Sequence, residues 1–170
     1  VMRVVTEPVS EWFHAAAKLA PASARFCGKP QETTVPPFAI AYLAAAGAML
    51  VLDAIWLTTM VPRLYQPALA EHIAERPNFA YAGAFYLLYV VGIVVFAVLP
   101  AVNGGSWLQA LGLGALLGLV AYGTYDFTNL STLRNWPLGL SLIDVAWGTA
   151  LTGTAALAGY LVTNWLSPAV

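Results

Sequence analysis

Four long apolar stretches constrain the fold of this chain more than any other feature of its sequence. A helix needs roughly 20 consecutive apolar residues to cross the hydrocarbon core of a bilayer, and four such stretches follow residue 36. Of the 170 residues, 60% are hydrophobic and only 9% are charged, which leaves too little polar surface for a soluble domain. The sequence therefore predicts an all-α membrane protein, a four-transmembrane-helix bundle with a polar N-terminal extension.

Prolines suggest where the first two spans end. A proline ends or kinks a helix at the residue before it, so Pro62 and Pro100 are expected to end them. The expected spans cover about residues 38–60, 79–99, 107–127 and 139–163, within one transmembrane domain of residues 37–166. Small residues recur at four-residue spacing in these spans, which lets neighbouring backbones approach closely. The pairs are Ala44/Ala48, Ala80/Ala84, Gly114/Gly118 and Ala155/Gly159.

Residues 1–36 form the polar extension, which is not expected to cross the membrane. Ser10 is expected to cap a short helix from Glu11 to Leu19. This helix either lies on the membrane surface or belongs to a packed or frayed leader. The opening residues lack the basic-then-apolar order of a secretory signal, so no cleaved leader is expected.

Charge and the few possible metal ligands argue against several classes of function. The net charge is -1 and the Lys and Arg residues form no run, so nucleic acid is not an expected partner. The one cysteine, Cys27, has no partner for an internal disulfide. His14 and His72 fall outside the expected spans, so no histidine-ligated haem or chlorophyll is expected within them. Membrane lipid is the partner that the composition implies.

The charged residues of the transmembrane domain gather towards one side of the membrane. We name the side with both chain termini side A, and the opposite side, with the first and third connections, side B. After residue 35, each charged residue falls in a side B connection or in the half of a helix nearer to it. They are Asp53, Arg63, Glu71, Glu75, Arg76, Asp126, Arg134 and Asp144. The segment 71–76, which includes His72, is interpreted as an ordinary solvated turn.

Three aspartates are expected to converge near side B. Asp53 lies on the order of 10 Å and Asp144 roughly 8 Å inside that boundary at 1.5 Å per residue, and Asp126 lies close to it. A charged aspartate at the centre of a membrane helix costs about 2.5–3.5 kcal/mol, so such residues normally face a partner or a wet cavity. The sequence therefore predicts a polar pocket, with Arg134 as the nearest candidate counter-ion.

A polar stripe on the third span supports this pocket. Tyr122, Asp126 and Asn129 follow the spacing i, i+4, i+7, so they share one face if the helix continues that far.

A repeated motif gives further support. Asp53-Ala-Ile-Trp56 and Asp144-Val-Ala-Trp147 each place a carboxylate and an indole on one helix face, on antiparallel spans. A purely structural role is an equal alternative for the aspartates, which would fix helix register. It is the favoured interpretation for the two indoles, which commonly sit near an interface. The predicted binding residues are Asp53, Trp56, Tyr122, Asp126, Asn129, Arg134, Asp144 and Trp147. No catalytic or metal-binding residue is predicted.

The segment from Tyr122 to Pro137 reads YGTYDFTNLSTLRNWP and resembles the DUF2177 family. Further agreement lies in LDAIWL at 52–57, PN at 77–78, FYLLY at 85–89 with Gly92, and DVAWG at 144–148. The resemblance covers about residues 39–161 and implies a four-span protein of the bacterial inner (cytoplasmic) membrane. It implies no activity, cofactor or catalytic residue. Typical members begin almost directly with the first span, so the extension before Pro36 is a departure.

Three functional interpretations follow. In the first, the side B pocket binds or transfers a small molecule, a lipid headgroup or a proton. In the second, the chain is an accessory subunit of a larger membrane complex, docked through its N-terminal extension. An enzyme ranks lowest, because the sequence offers no nucleophile with an attendant base, no phosphate loop and no metal set.

Overall fold

The computed structural model describes residues 36–69 and 78–167. Four helices account for nearly all of them: α1 Pro37–Leu69, α2 Phe79–Val102, α3 Trp107–Thr132 and α4 Leu138–Leu166. All four are long and apolar enough to cross a membrane, and these residues contain no strand. The predicted fold class is therefore confirmed. The predictions for the extension and for the turn at 71–76 lie outside the described residues.

Local signals set the starts of α2 and α3. The side chain of Asn78 accepts a hydrogen bond from the backbone N–H of Ala80 at 3.0 Å, and that of Ser106 accepts one from Gln109 at 3.3 Å. Such caps satisfy amides that have no partner within the helix. Gly104, with φ of 109°, reverses the chain between α2 and α3, because glycine adopts this conformation without steric cost.

The prediction that Pro62 ends the first helix is wrong, since α1 continues to Leu69. Proline lacks an N–H and its ring clashes with the carbonyl four residues earlier. A π-helical turn over Val61–Tyr65 accommodates it, and the N–H of Gln66 donates to the carbonyl of Val61. This wider turn inserts one residue and keeps the chain helical.

The same solution occurs in α2, so the prediction that this helix stops at Pro100 is also wrong. A π-helical turn over Val94–Val98 precedes the proline, and α2 ends at Val102. The third helix continues five residues past its expected end, to Thr132. It therefore carries the whole polar stripe predicted on it.

Helix α4 lies at the centre of the bundle. It packs along α1 and α3 and against the second half of α2, and small residues make the closest approaches. A Cβ atom added to Gly118 would lie 2.3 Å from the carbonyl oxygen of Gly148, and one added to Gly114 would lie 2.6 Å from Cβ of Ala156. These distances are too short for any side chain, so the two backbones touch.

Two of the four predicted small-residue pairs lie at such contacts. Gly114/Gly118 and Ala155/Gly159 are buried. Ala80/Ala84 is exposed, and in α1 the buried pair is Ala41/Ala45, while Ala44/Ala48 is only half-buried. All of these pairs have the same spacing, so spacing alone does not tell which face of a helix meets its neighbour.

Helix α2 packs fully only in its second half. Residues 79–85 are all exposed, whereas Ile93, Val94, Ala97 and Val98 are completely buried. The first half of α2, on side B, therefore stands away from α3. This leaves space between the two helices at the level of the aspartates.

The α3–α4 contact predicts unequal effects for one substitution at two glycines of α3. Gly118→Ala should lower the free energy of unfolding by about 1–3 kcal/mol, because the new methyl group forces the helices apart. Gly112→Ala, where no atom lies within 4 Å of an added Cβ, should be neutral or stabilise by up to about 1 kcal/mol. Dodecyl-sulfate unfolding in mixed micelles measures both. Equal stability of the two variants would contradict the close approach.

Candidate functional site

Asp53 is a buried carboxylate held by two other helices. Its side chain is 5% exposed. The hydroxyl group of Tyr86, on α2, donates a hydrogen bond to Oδ2. The indole Nε1 of Trp147, on α4, donates to Oδ1 at 3.4 Å. Asp53 thus joins α1 to both α2 and α4.

Asp144 is held in a related way from α1. The hydroxyl group of Tyr65 donates to Oδ1 of Asp144, and Nε1 of Trp56 donates to the Tyr65 hydroxyl at 3.3 Å. The indole of the first Asp-x-x-Trp motif therefore supports the carboxylate of the second motif through a tyrosine. The indole of the second motif bonds directly to the carboxylate of the first.

The two indoles also contact each other. The ring centroids of Trp56 and Trp147 lie 4.3 Å apart with an interplanar angle of 5°, an offset-stacking distance for aromatic pairs. The structure thus brings the two predicted Asp-x-x-Trp motifs into contact, with each indole supporting the carboxylate of the other motif. We name these two motifs together the Asp-Trp pair: Asp53, Trp56, Asp144 and Trp147.

Tyr65 reaches this unit because of the π-helical turn. In a regular helix with 3.6 residues per turn, residues nine apart lie about two and a half turns apart, on opposite faces. The extra residue in Val61–Tyr65 removes about 100° of that rotation, which brings Tyr65 towards the face of Trp56. Tyr65 and Tyr86 were not among the predicted site residues, and no spacing pattern in the sequence links them to the aspartates.

Asp126 differs from the other two aspartates in its bonding. It is 1% exposed, and its carboxyl group lies beside Ser141 and the carboxyl group of Asp144. Its Oδ2 atom has no hydrogen-bond partner among the described residues, and neither has the buried Nδ2 atom of Asn129. Buried polar atoms without a partner are rare, so this part of the polar stripe retains unused bonding capacity.

Arg134 is not brought to the aspartates. It is exposed in the turn between α3 and α4, and it forms no ion pair with any residue that the structure describes. An exposed guanidinium is well solvated in water, so it gains little from pairing with a carboxylate at the surface. The expected counter-ion therefore does not neutralise the pocket.

A cavity of about 290 Å³ opens beside the Asp-Trp pair. All four helices contribute to its lining: Met49, Phe85, Tyr86, Tyr89, Ala121, Tyr122, Tyr125 and Asp144. The ring of Tyr122 lies directly on Gly148, where an added Cβ would be 2.1 Å from Cγ of the tyrosine. Gly148 is thus required for Tyr122 to occupy this position.

The hydroxyl group of Tyr122 is a polar group of this cavity that has no partner among the described residues. It lies within electrostatic range of Asp53 and Asp144 but makes no hydrogen bond to any described residue. The hydroxyl groups of its neighbours are engaged, Tyr86 by Asp53 and Tyr89 by Thr152 at 3.0 Å. Tyr122 is therefore available to a ligand without disturbing the fold.

The site offers carboxylates and aromatic faces. Residues 36–69 and 78–167 hold no group of three His, Cys, Asp or Glu side chains placed to bind a metal ion. What the cavity can bind is a hydrogen-bond donor or a cation, since carboxylates accept hydrogen bonds and aromatic faces attract positive charge.

The bonding of the two outer aspartates predicts which tyrosines support the fold. Tyr86→Phe and Tyr65→Phe should each lower the free energy of unfolding by about 1–3 kcal/mol, because the buried Asp53 and the half-buried Asp144 each lose a hydrogen-bond donor. Tyr81→Phe, at a side chain that is 79% exposed, should stay within about 0.5 kcal/mol of the parent. Unfolding in mixed micelles compares the three. A Tyr86→Phe variant as stable as Tyr81→Phe would refute the role given to that bond.

A family model describing a predicted membrane protein, DUF2177, matches residues 38–161. Neither the curated proteins nor the solved structures gave a significant match. The matched segment runs from the start of α1 into the last turns of α4, so it includes both Asp-x-x-Trp motifs and the polar stripe. The chain belongs to the DUF2177 family of membrane proteins, whose function is unknown.

Proposed function

We propose that this protein is a binding or transfer module of a bacterial inner membrane, which receives an ammonium group in the cavity that all four helices line. The observation that carries the proposal is a charge imbalance at a built cavity. Asp53, Asp126 and Asp144 lie at or beside it. Neither Arg63 nor Arg134, the two described basic residues, forms an ion pair with another residue in 36–69 or 78–167.

A bound cation would reduce the cost of placing carboxylates in the bundle. An uncompensated charge at this depth costs several kcal/mol, and a ligand cation offsets part of that cost by direct attraction. The cavity walls favour an organic cation, because the faces of Tyr122, Tyr125 and Tyr89 line it. Aromatic rings around a carboxylate are a common way to bind ammonium groups.

Tyr122 separates ligand binding from stability. Its hydroxyl group makes no hydrogen bond to the described residues, so removing it breaks no bond within that part of the protein. Asp144 supports the same ligand, but it also accepts the bond from Tyr65. Substitution of Tyr122 therefore tests ligand binding more directly than substitution of Asp144.

We expect the purified protein in maltoside micelles to bind decylamine roughly tenfold more tightly than decanol or decanoate, which corresponds to about 1.4 kcal/mol. Tyr122→Phe should reduce this preference to about threefold or less, because the substitution removes one hydrogen bond of about 0.5–1.5 kcal/mol to the ligand. It should leave the free energy of unfolding unchanged. Tyr81→Phe is the matched control and should retain the full preference. Native mass spectrometry measures the bound fractions.

Equal binding of the three decyl compounds would overturn the proposal. A protein partner recovered in stoichiometric amount from a mild-detergent extract, and lost on deletion of residues 1–34, would instead favour the accessory-subunit interpretation.

A further inference from the structure

We infer that the ligand of this cavity is a lipid, one of whose chains lies in the groove between α2 and α3. The inference rests on the proposed function and adds the chemical class of the ligand. It derives from a second cavity that continues the first one towards side A.

This second cavity has a volume of about 380 Å³ and shares Phe85 and Tyr89 with the acidic cavity. Leu88, Gly92 and Phe96 line it from α2, and Leu117 lines it from α3. Tyr89 is the one polar side chain in its lining, and the hydroxyl group of Tyr89 is bonded to Thr152 at 3.0 Å. The groove therefore offers an apolar surface and no free hydrogen-bonding side chain.

The length of the groove fits one alkyl chain. From Phe85 to Phe96 the helix rises about 16 Å at 1.5 Å per residue, which is about half of the roughly 30 Å hydrocarbon core. The acidic cavity lies at the side B end of this groove, so a molecule that fills both has its polar group near side B. Its chain then extends about 16 Å further towards side A, along α2 from Phe85 to Phe96.

A groove between α1 and α2 serves as the internal comparison. Gly83 and Tyr86 line it, and it also reaches Asp53. At that end, however, the Asp53 carboxylate already accepts the hydrogen bond from Tyr86. The α2–α3 groove instead leads to Tyr122, whose hydroxyl group is unused, and this difference favours it as the path of the chain.

Two glycines of α2 allow each groove to be filled separately. An added Cβ at Gly92 would meet only Cδ2 of Phe96, at 4.0 Å, and one at Gly83 would meet no atom within 4 Å. The first atom of a new side chain therefore meets no clash at either position, and the rest of a leucine side chain extends into the groove. Gly92→Leu fills the α2–α3 groove, and Gly83→Leu fills the α1–α2 groove.

We expect Gly92→Leu to weaken binding of hexadecylamine roughly tenfold and to leave binding of butylamine unchanged, since the short amine does not enter the groove. Gly83→Leu should leave both affinities unchanged. A hexadecylamine carrying a diazirine at mid-chain should label α2 and α3 near Gly92 and Leu117 after irradiation. Peptide mapping of the full chain locates the labelled residues.

Unchanged hexadecylamine binding in Gly92→Leu, or a loss of binding in Gly83→Leu, would overturn the inference. The proposed function would survive either result if butylamine binding still depended on the Tyr122 hydroxyl group. Labelling spread evenly over all lipid-facing helix surfaces would also count against a defined groove. Failure of both amines to bind would remove the proposed function itself.

Discussion

The cost of placing a carboxyl group among hydrocarbon chains is the constraint on which the rest of this bundle depends. Each aspartate needs donors from other helices, because its own backbone is already bonded within the helix. Asp53 receives them from α2 and α4, and Asp144 receives one from α1. These bonds specify which helices are neighbours and how they are aligned along the membrane normal. Apolar contacts between helices in lipid specify this alignment poorly.

The two Asp-x-x-Trp motifs determine how hydrogen-bond donors and carboxylates are paired between α1 and α4. If each indole had bonded to the carboxylate of its own helix, the motifs would have stabilised α1 and α4 separately. The donors cross instead, Trp147 to Asp53 directly and Trp56 to Asp144 through Tyr65. The two indoles stack on each other, so the crossed bonds lie together at one contact between α1 and α4.

Hydropathy and spacing were enough to predict the four helices and most of the site, because both depend on local periodicity. The stripe on α3 and the faces of the two motifs follow from 3.6 residues per turn. Tyr65 was missed since Pro62 was expected to end α1, whereas a π-helical turn carries the helix past it. The involvement of Tyr86 depends on how α2 packs, which no pattern within one helix encodes. Arg134 was assigned by nearness in sequence, but water solvates it as well as a carboxylate would.

The tyrosines and aspartates of the site divide into two groups by their bonding. In the first group, the hydroxyl groups of Tyr86 and Tyr65 donate hydrogen bonds to Asp53 and Asp144. These bonds hold helices together. Tyr122 and the Oδ2 atom of Asp126 have no hydrogen-bond partner among the described residues. The Oδ2 atom of Asp126 is buried, and a buried polar atom without a partner costs free energy that an apolar side chain would not. Tyr122 and Asp126 therefore support the proposal of a bound molecule, and the bonds of Tyr86 and Tyr65 hold together helices that line the cavity.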